Sequence, residues 1–374
     1  DGIQADAGSY TGTVIQGNDV YQNTANGIFL NANSGTISGL LVGAGTTGAA
    51  ALGNEIYQNT EDGILVGTGT YTGTVIGAHN EITLNTQNGI ELAAGGATNL
   101  LITGNKIGTL ANGTTDAGNV LDGIQVNAGG YAGTSITANW IAYNDVDGIQ
   151  LAAAGSAITG LSITGNSSYS NDSDGIQADN GDYTSTVIQG NDVYQNAVEG
   201  IYLKAAGTTI TNLTIGGDKT SQGNQIYSNK SDGIQADAGS YTGTVIQGND
   251  VYQNTANGIF LNATADLAGL LIGGGEAKFG NEIYDNTKNG VLVAGSSGGT
   301  TKFTGTKVLF NEIKTNGSYG IFLTDAKAPT GSRSKPRPGT GSSATPSPAT
   351  PHLPPWTASR SPTAPTPTSC IQTW

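Results

Sequence analysis

The sequence predicts an all-β solenoid, a single-stranded parallel β-helix of about eleven coils, and three observations predict it. The first is a repeat. The stretch Asn18–Ile28, NDVYQNTANGI, returns as NEIYQNTEDGI from Asn54, NEITLNTQNGI from Asn80, NQIYSNKSDGI from Asn224 and NEIYDNTKNGV from Asn281. A fixed period of this size marks a repeat architecture and outranks local signals. The second is composition: 59 glycines in 374 residues, with 36% apolar and 6% aromatic content, is poor material for one globular core. Stacked units need only a thin continuous core. The third is proline. All eleven lie at or beyond Pro329, so every ladder donor before that point is intact.

Each coil is assembled from short pieces. Gly-Ile or Gly-Val opens a segment at positions such as Gly2, Gly27, Gly63, Gly200 and Gly258, and Asp, Asn, Glu or once Tyr precedes the Gly. Asn-Gly and Asp-Gly are turn dipeptides, since both residues tolerate positive φ. A short alternating strand follows (GIFLNA, GIQADA), then a second β-rich stretch (TVIQG, LLITG), then the Asn-x-Ile strand. Three strands and three bends make one coil, and no window shows a sustained 3.6-residue period.

The repeated asparagines read as scaffold. Strands of neighbouring coils lie ~4.8 Å apart, so equivalent side chains sit directly above one another. An inward Asn can donate its amide to one coil and accept from the other, satisfying groups that burial would leave unpaired. This role is assigned to Asn18, Asn23, Asn54, Asn59, Asn80, Asn85, Asn191, Asn196, Asn249, Asn254 and their equivalents. The second Asn follows the first by five residues in ten of eleven copies, and after an insertion Asn119 takes the role in the other.

The coils alternate in type. Odd coils carry Tyr10, Tyr71, Tyr131, Tyr183 and Tyr241, each followed by small or hydroxyl residues, and residues 1–32 are identical to 232–263. Two readings of these tyrosines stand at this level. Pointing outward they form a row spaced ~9–10 Å, twice the coil spacing, on which alternate sugars of a linear polymer stack; pointing inward they pack over bends. A second series, Tyr21, Tyr57, Tyr169, Tyr194, Tyr227, Tyr252 and Tyr284, lies three residues after the first ladder Asn and admits the same two readings. Thr-rich strings occur only on alternate coils, which excludes the continuous flat Thr lattice of an ice-binding face.

Charge narrows the partners. Up to Ala328 the chain holds ten lysines, no arginine and all 28 carboxylates, a net −18, and the remainder carries +4. An arginine-free acidic body excludes nucleic acid as a partner, because phosphate contacts are made mainly by Arg and Lys. No apolar run approaches the roughly 18–20 residues of a membrane helix. A single Cys370 allows no internal disulfide. Asp6, Asp179 and Asp237 recur at one position of the odd coils, with Asp182 close by in one, and are the candidate oxygen ligands for Ca²⁺. Insertions at 43–53, 108–118, 216–223 and 273–280 leave the coil as loops with few reactive groups. The β-helix domain is placed at 1–327, and the Pro/Ser/Thr-rich 328–374 cannot build a core and is expected to be a disordered linker or an out-of-frame segment. With no Met and no capping signal at either end, the chain reads as a piece of a longer solenoid.

The N-x-[IV]-x-x-N-x-x-x-G-I repeat resembles the right-handed β-helix repeats of the pectin-lyase-like superfamily. It is most similar to those of large secreted bacterial surface proteins and mannuronan C5-epimerase-type modules. The resemblance covers roughly 1–327 and implies the right hand of the coil. It is specific for fold and not for function, since the ladder residues are scaffold. Members include lyases, polygalacturonases, epimerases, phage tailspikes and non-catalytic adhesins. Their catalytic signatures have no match here: no Arg precedes Arg333, no Gly-His-Gly occurs, and the body has no Pro for an Asp-Pro-His segment. His79, the body's one His, replaces the turn Gly of sister coils. The expected function is therefore a non-catalytic segment of a secreted or cell-surface repeat protein, a rigid spacer with a polysaccharide-binding surface. The alternative is a polysaccharide lyase or epimerase acting on uronate polymers, with catalytic coils partly outside this chain.

Overall fold

The computed structural model describes residues 1–44, 53–295 and 302–324. The expected boundary at 327 and the tail 328–374 lie outside the described residues. Within them the chain winds as a parallel β-helix, whose three long sheets hold thirteen, eleven and eleven strands. The first sheet contains the strands after each Gly, such as Ile28–Asn31, Ile149–Ala152 and Ile201–Lys204. The second contains Leu41–Val42 and Val187–Gln189, and the third Glu55–Tyr57, Trp140–Ala142 and Asp192–Tyr194.

Register follows the repeat, with shifts between Thr70 and Thr74 and between Asp237 and Gly239 where a strand runs on past a corner. Ile28 sits on Ile64, Ile64 under Ile90, and Ile201 on Ile234, each pair parallel. Alternation puts Ile28 and Leu30 inside and leaves Phe29 and Asn31 half-exposed. Between the end coils the inward Ile files are fully buried and form one core along the axis; each such side chain stabilises by ~1.5–3 kcal/mol relative to exposure.

The corners explain the asparagines. In ten of the eleven coils the residue before the second Asn is left-handed, with φ between 52° and 61° at Gln22, Gln58, Leu84, Tyr143, Ser170, Gln195, Ser228, Gln253, Asp285 and Thr315. A left-handed non-Gly residue costs ~1–2 kcal/mol, which the ladder offsets. Asn18 donates Nδ2–H to Asn54 Oδ1 at 2.9 Å, Asn54 to Asn80 at 2.9 Å, Asn80 to Asn105 at 2.8 Å, and the relay reaches Asn311. The second ladder runs from Asn23 through Asn59, Asn85, Asn119 and Asn196 to Asn316. Asn119 takes its place with 2.9 Å bonds on both sides. The Gly after the turn is required by packing: a Cβ on Gly27 would lie 2.6 Å from Ile56 Cγ2 and 2.7 Å from Asn59 Nδ2.

Candidate functional site

The odd-coil tyrosines are not an outer row. Tyr71, Tyr131, Tyr183 and Tyr241 are fully buried and Tyr10 is half-buried, which corrects the outward reading. The reason is a corner bond. Each hydroxyl reaches back four residues to a backbone carbonyl: Tyr10 to Asp6 at 2.9 Å, Tyr131 to Asn127 at 2.7 Å, Tyr183 to Asp179 at 2.6 Å and Tyr241 to Asp237 at 2.7 Å. Burial pushes the Tyr71 phenol up to about 12 and raises those of Tyr131, Tyr183 and Tyr241 as well.

The candidate calcium carboxylates are engaged with amides and hydroxyls. Asp6 Oδ1 accepts from Gln4 and Asn31, Asp179 Oδ1 from Gln177, and Asp237 Oδ1 from Asn262. Asp182 Oδ1 accepts from Asn212 at 2.8 Å and from Thr184 and Thr211. Among the described residues no three His, Cys, Asp or Glu side chains converge as metal ligands. His79 occupies a left-handed turn position with φ 68°, its backbone N–H donating to Gly104 O. Its side chain has no hydrogen-bond partner among the described residues, so no Tyr–His–carboxylate cluster forms there.

A third ladder emerges at the residue before each Gly, where the sequence shows only turn chemistry. In five consecutive coils this position is acidic: Asp122, Asp147, Asp174, Glu199 and Asp232, each 1–7% exposed. The N–H of Asp147 donates to Asp122 Oδ1, that of Asp174 to Asp147 Oδ1 and that of Glu199 to Asp174 Oδ1, each at 2.9 Å. Burial, then the Asp147 charge, pushes Asp122 up to about 7. Burial raises Asp147, Asp174 and Asp232 too, and at Asp174 the Glu199 carboxyl adds to the rise.

The outward aromatic surface is the second tyrosine series, on the third sheet. Tyr169, Tyr194, Tyr227, Tyr252 and Tyr284 form one continuous stack, centroids 4.9–5.0 Å apart and planes within 7°. Tyr21 and Tyr57 form a shorter one at 4.9 Å. Within a stack the ring faces cover one another and only the edges meet solvent. Free faces exist where the series is broken, and the break falls at Thr83, Gly108 and Ala142, where the 108–118 insertion leaves the coil.

That loop is stiff and lies over the break. Asn112 Oδ1 accepts from the N–H groups of Thr114 and Thr115 at 2.9 and 3.0 Å, and Thr109 Oγ1 donates to Thr115 O. Tyr169 donates its hydroxyl to Gly113 O at 2.6 Å and Tyr143 to Thr114 O at 3.2 Å. Gly113 has φ 68°, and a Cβ there would strike the Trp140 ring at 2.4 Å. A notch of about 380 Å³ results, lined by the loop and by Trp140, Tyr143, Ser167, Tyr169, Tyr194 and Gln195. Trp140 is 44% exposed in it. Tyr143 meets Tyr169 edge-on at 6.1 Å. On the loop's other side Glu55, Tyr57, Glu81, Thr83, Leu84 and Leu110 line a smaller hollow of about 180 Å³. Trp140 was the signal to find: it is the outward residue of an Asn-x-Ile strand, at a position filled elsewhere by Asp, Glu, Lys, Gln or Ser.

Comparison with known proteins agrees with this architecture. The family described as "Right handed beta helix region" matches over residues 1–215, 109–274 and 159–334. No curated protein matches the chain by sequence. Similar solved structures include the periplasmic alginate epimerase AlgG, at 14% identity over 78% of this chain and 77% of that one, TM-score 0.37. The Azotobacter vinelandii mannuronan C-5 epimerase AlgE6 A-module shares 13% over 88% of this chain and 91% of that one, TM-score 0.38. The Dettilon tailspike protein shares 16% over 82% of this chain and 61% of that one, TM-score 0.49. At these identities and scores the likenesses carry no argument about activity.

Proposed function

The chain belongs to the right-handed β-helix family, and from that premise we propose that it is a rigid, non-catalytic segment of a secreted or cell-surface protein that binds polysaccharide on its third sheet. The observation that carries the reading is Trp140, an exposed indole set in the notch where the tyrosine stack ends. Aromatic faces suit the apolar faces of sugar rings, and a concave, largely preformed site with a few polar groups is the usual form of a ligand pocket. The tyrosine edges continue from the notch along the axis, with one rung every ~4.8 Å. A linear polymer advances by a similar distance per sugar, so it keeps register with the coils. The core leaves no slack for bending, which suits a spacer.

The test follows the indole N–H signal of Trp140 in the full chain labelled with ¹⁵N, assigned with Trp140→Phe. Linear oligosaccharides of neutral, amino and uronate type are titrated in turn. At least one is expected to shift the signal, and Trp140→Ala is expected to weaken that ligand at least about tenfold, the loss of a central aromatic contact. A signal unmoved by all three types would sink the binding reading. New anomeric or unsaturated-sugar resonances would overturn the non-catalytic part of it.

A further inference from the structure

We infer that the polymer seated at the Trp140 notch is an amino-sugar chain carrying positive charge, not a polyuronate; this rests on the binding reading above and names its ligand. The argument is the order of side chains along the outward file of the third sheet. Parallel pairing sets Lys106, Trp140, Ser167, Asp192, Gln225 and Asp250 one above another. Lys106 therefore stands on one side of the indole and the notch opens on the other, over the small Ser167.

The cation is spoken for on its own side. Lys106 Nζ lies 5.7 Å from the Trp140 ring centre and donates to Ala111 O in the insertion loop. On the notch side the next charge is Asp192. Its carboxylate makes no hydrogen bond and no ion pair among the described residues. Partial desolvation holds it above the usual carboxylate range, although the residue as a whole is exposed. Two rungs on, Asp250 accepts only from the neutral Gln225, at 2.6 Å. Cations return at this rung: burial raises the Asp250 carboxyl, but Lys219 and Lys314 are close enough to oppose that rise, and they pair with Glu282 at 3.0 Å and with Glu312 at 2.6 Å. On the loop side Asp145 is raised by burial and by the neighbouring Asp172 and Asp116, so the field there is negative as well.

A ligand threading from Trp140 toward Asp250 thus meets aromatic surface and, at Asp192, a carboxylate with no cationic neighbour. An ammonium group gains from both, from the Asp192 carboxylate by charge and from the exposed Trp140 ring by cation–π attraction. A uronate carboxylate is repelled by Asp192. An uncharged sugar gains the stacking alone. At a surface site one such charge contact is worth roughly a tenfold change in affinity.

Calorimetry with the full chain separates these cases, at low salt and mildly acidic pH, where glucosamine amines are charged. The probes are β-1,4-linked hexamers of glucosamine, glucose and mannuronate. Glucosamine hexamer is expected to bind about tenfold more tightly than cellohexaose, with mannuronate weakest, and the preference should shrink as salt is added. Asp192→Asn should bring glucosamine to the level of cellohexaose and leave cellohexaose unchanged. Asp19→Asn, on the same file but far from the notch, should leave the preference intact. Cellohexaose binding without an amine preference, or a preference untouched by Asp192→Asn, would overturn this inference and leave the binding reading standing. Tightest binding of mannuronate would also overturn it. No binding of any hexamer would remove both.

Discussion

Two of the three buried polar files in this molecule, built on the same spacing from side chains of nearly equal shape, differ by one proton-bearing group. In the ladder from Asn23 to Asn316 every rung is an amide. Asn171 gives both its backbone N–H and an Nδ2–H to Asn196 Oδ1, at 3.2 and 3.0 Å, and Asn196 gives the same pair to Asn229 at 3.1 and 3.0 Å. In the acidic file a backbone rung is kept from Asp122 to Glu199, each N–H donating to the carboxylate of the preceding coil, and the amide is missing. Where this file still holds Asn, the second bond returns: Asn88 Nδ2 donates to Asp62 Oδ1 at 3.0 Å and Asn257 Nδ2 to Asp232 Oδ1 at 2.7 Å. An amide is a donor at any pH, whereas a carboxyl donates only when protonated. The difference teaches that the same fold holds one ladder that is indifferent to pH and one that is not.

The largest effect should come from cutting the amide ladder. Asn196→Leu removes the acceptor of two Asn171 donors and the donor to Asn229, and it leaves Ser168 O without its partner. Each orphaned buried group costs about 1–3 kcal/mol, so a loss of about 4 kcal/mol is expected. Because coils of a solenoid couple mainly to their neighbours, hydrogen exchange should locate the loss in coils 166–254. The mutation should weaken the protein equally at pH 5 and pH 8. An unchanged urea midpoint would refute the structural role of this ladder.

The amide ladders were legible in the sequence because Asn recurs there almost without exception and its spacing survives even the 108–118 insertion. The third file was not, because Asp-Gly and Asn-Gly are sufficiently explained as turns, and nothing in one strand's sequence says that the turn residue faces inward. The tyrosines failed for a related reason. Tyr183 and Tyr194 recur equally well, and recurrence reports register but not side: Tyr183 closes a corner and Tyr194 lies on the outer stack. Trp140 is unrepeated, so a reading organised by repeats passes over it, although it marks the candidate site.

Next in size is the response of the carboxyl file to pH. Folded values raised above the unfolded ones mean that the stability is fully present below the unfolded pKa, about 4. It is then lost as pH rises through the folded values, about 7 at Asp122 and higher at Asp174. Lys204 offsets part of this at Asp147, while Asp179 adds to it. Coils 122–232 should therefore be most stable at mildly acidic pH and loosen progressively toward pH 8. Asp147→Asn with Asp174→Asn restores the missing amides and should raise the urea midpoint at pH 8 by an amount worth about 2 kcal/mol, two net hydrogen bonds, with little change at pH 4. A wild type whose stability rises between pH 5 and pH 8 would contradict the comparison.

The smallest effect supplies its control. Tyr183 is buried beside the same coils, and its hydroxyl donates to Asp179 O at 2.6 Å and to Leu151 O at 3.2 Å. Its phenol is raised by burial, far from neutrality, so it keeps its proton throughout the range in which the carboxyl file titrates. Tyr183→Phe removes this donor, keeps the ring volume and leaves two carbonyls that retain other contacts, so a loss of about 1 kcal/mol is expected. That loss should be the same at pH 5 and pH 8. If it grew with pH, the phenol would be coupled to the carboxyl file through Asp179, and the pH response would belong to the whole corner and not to the acidic rungs alone.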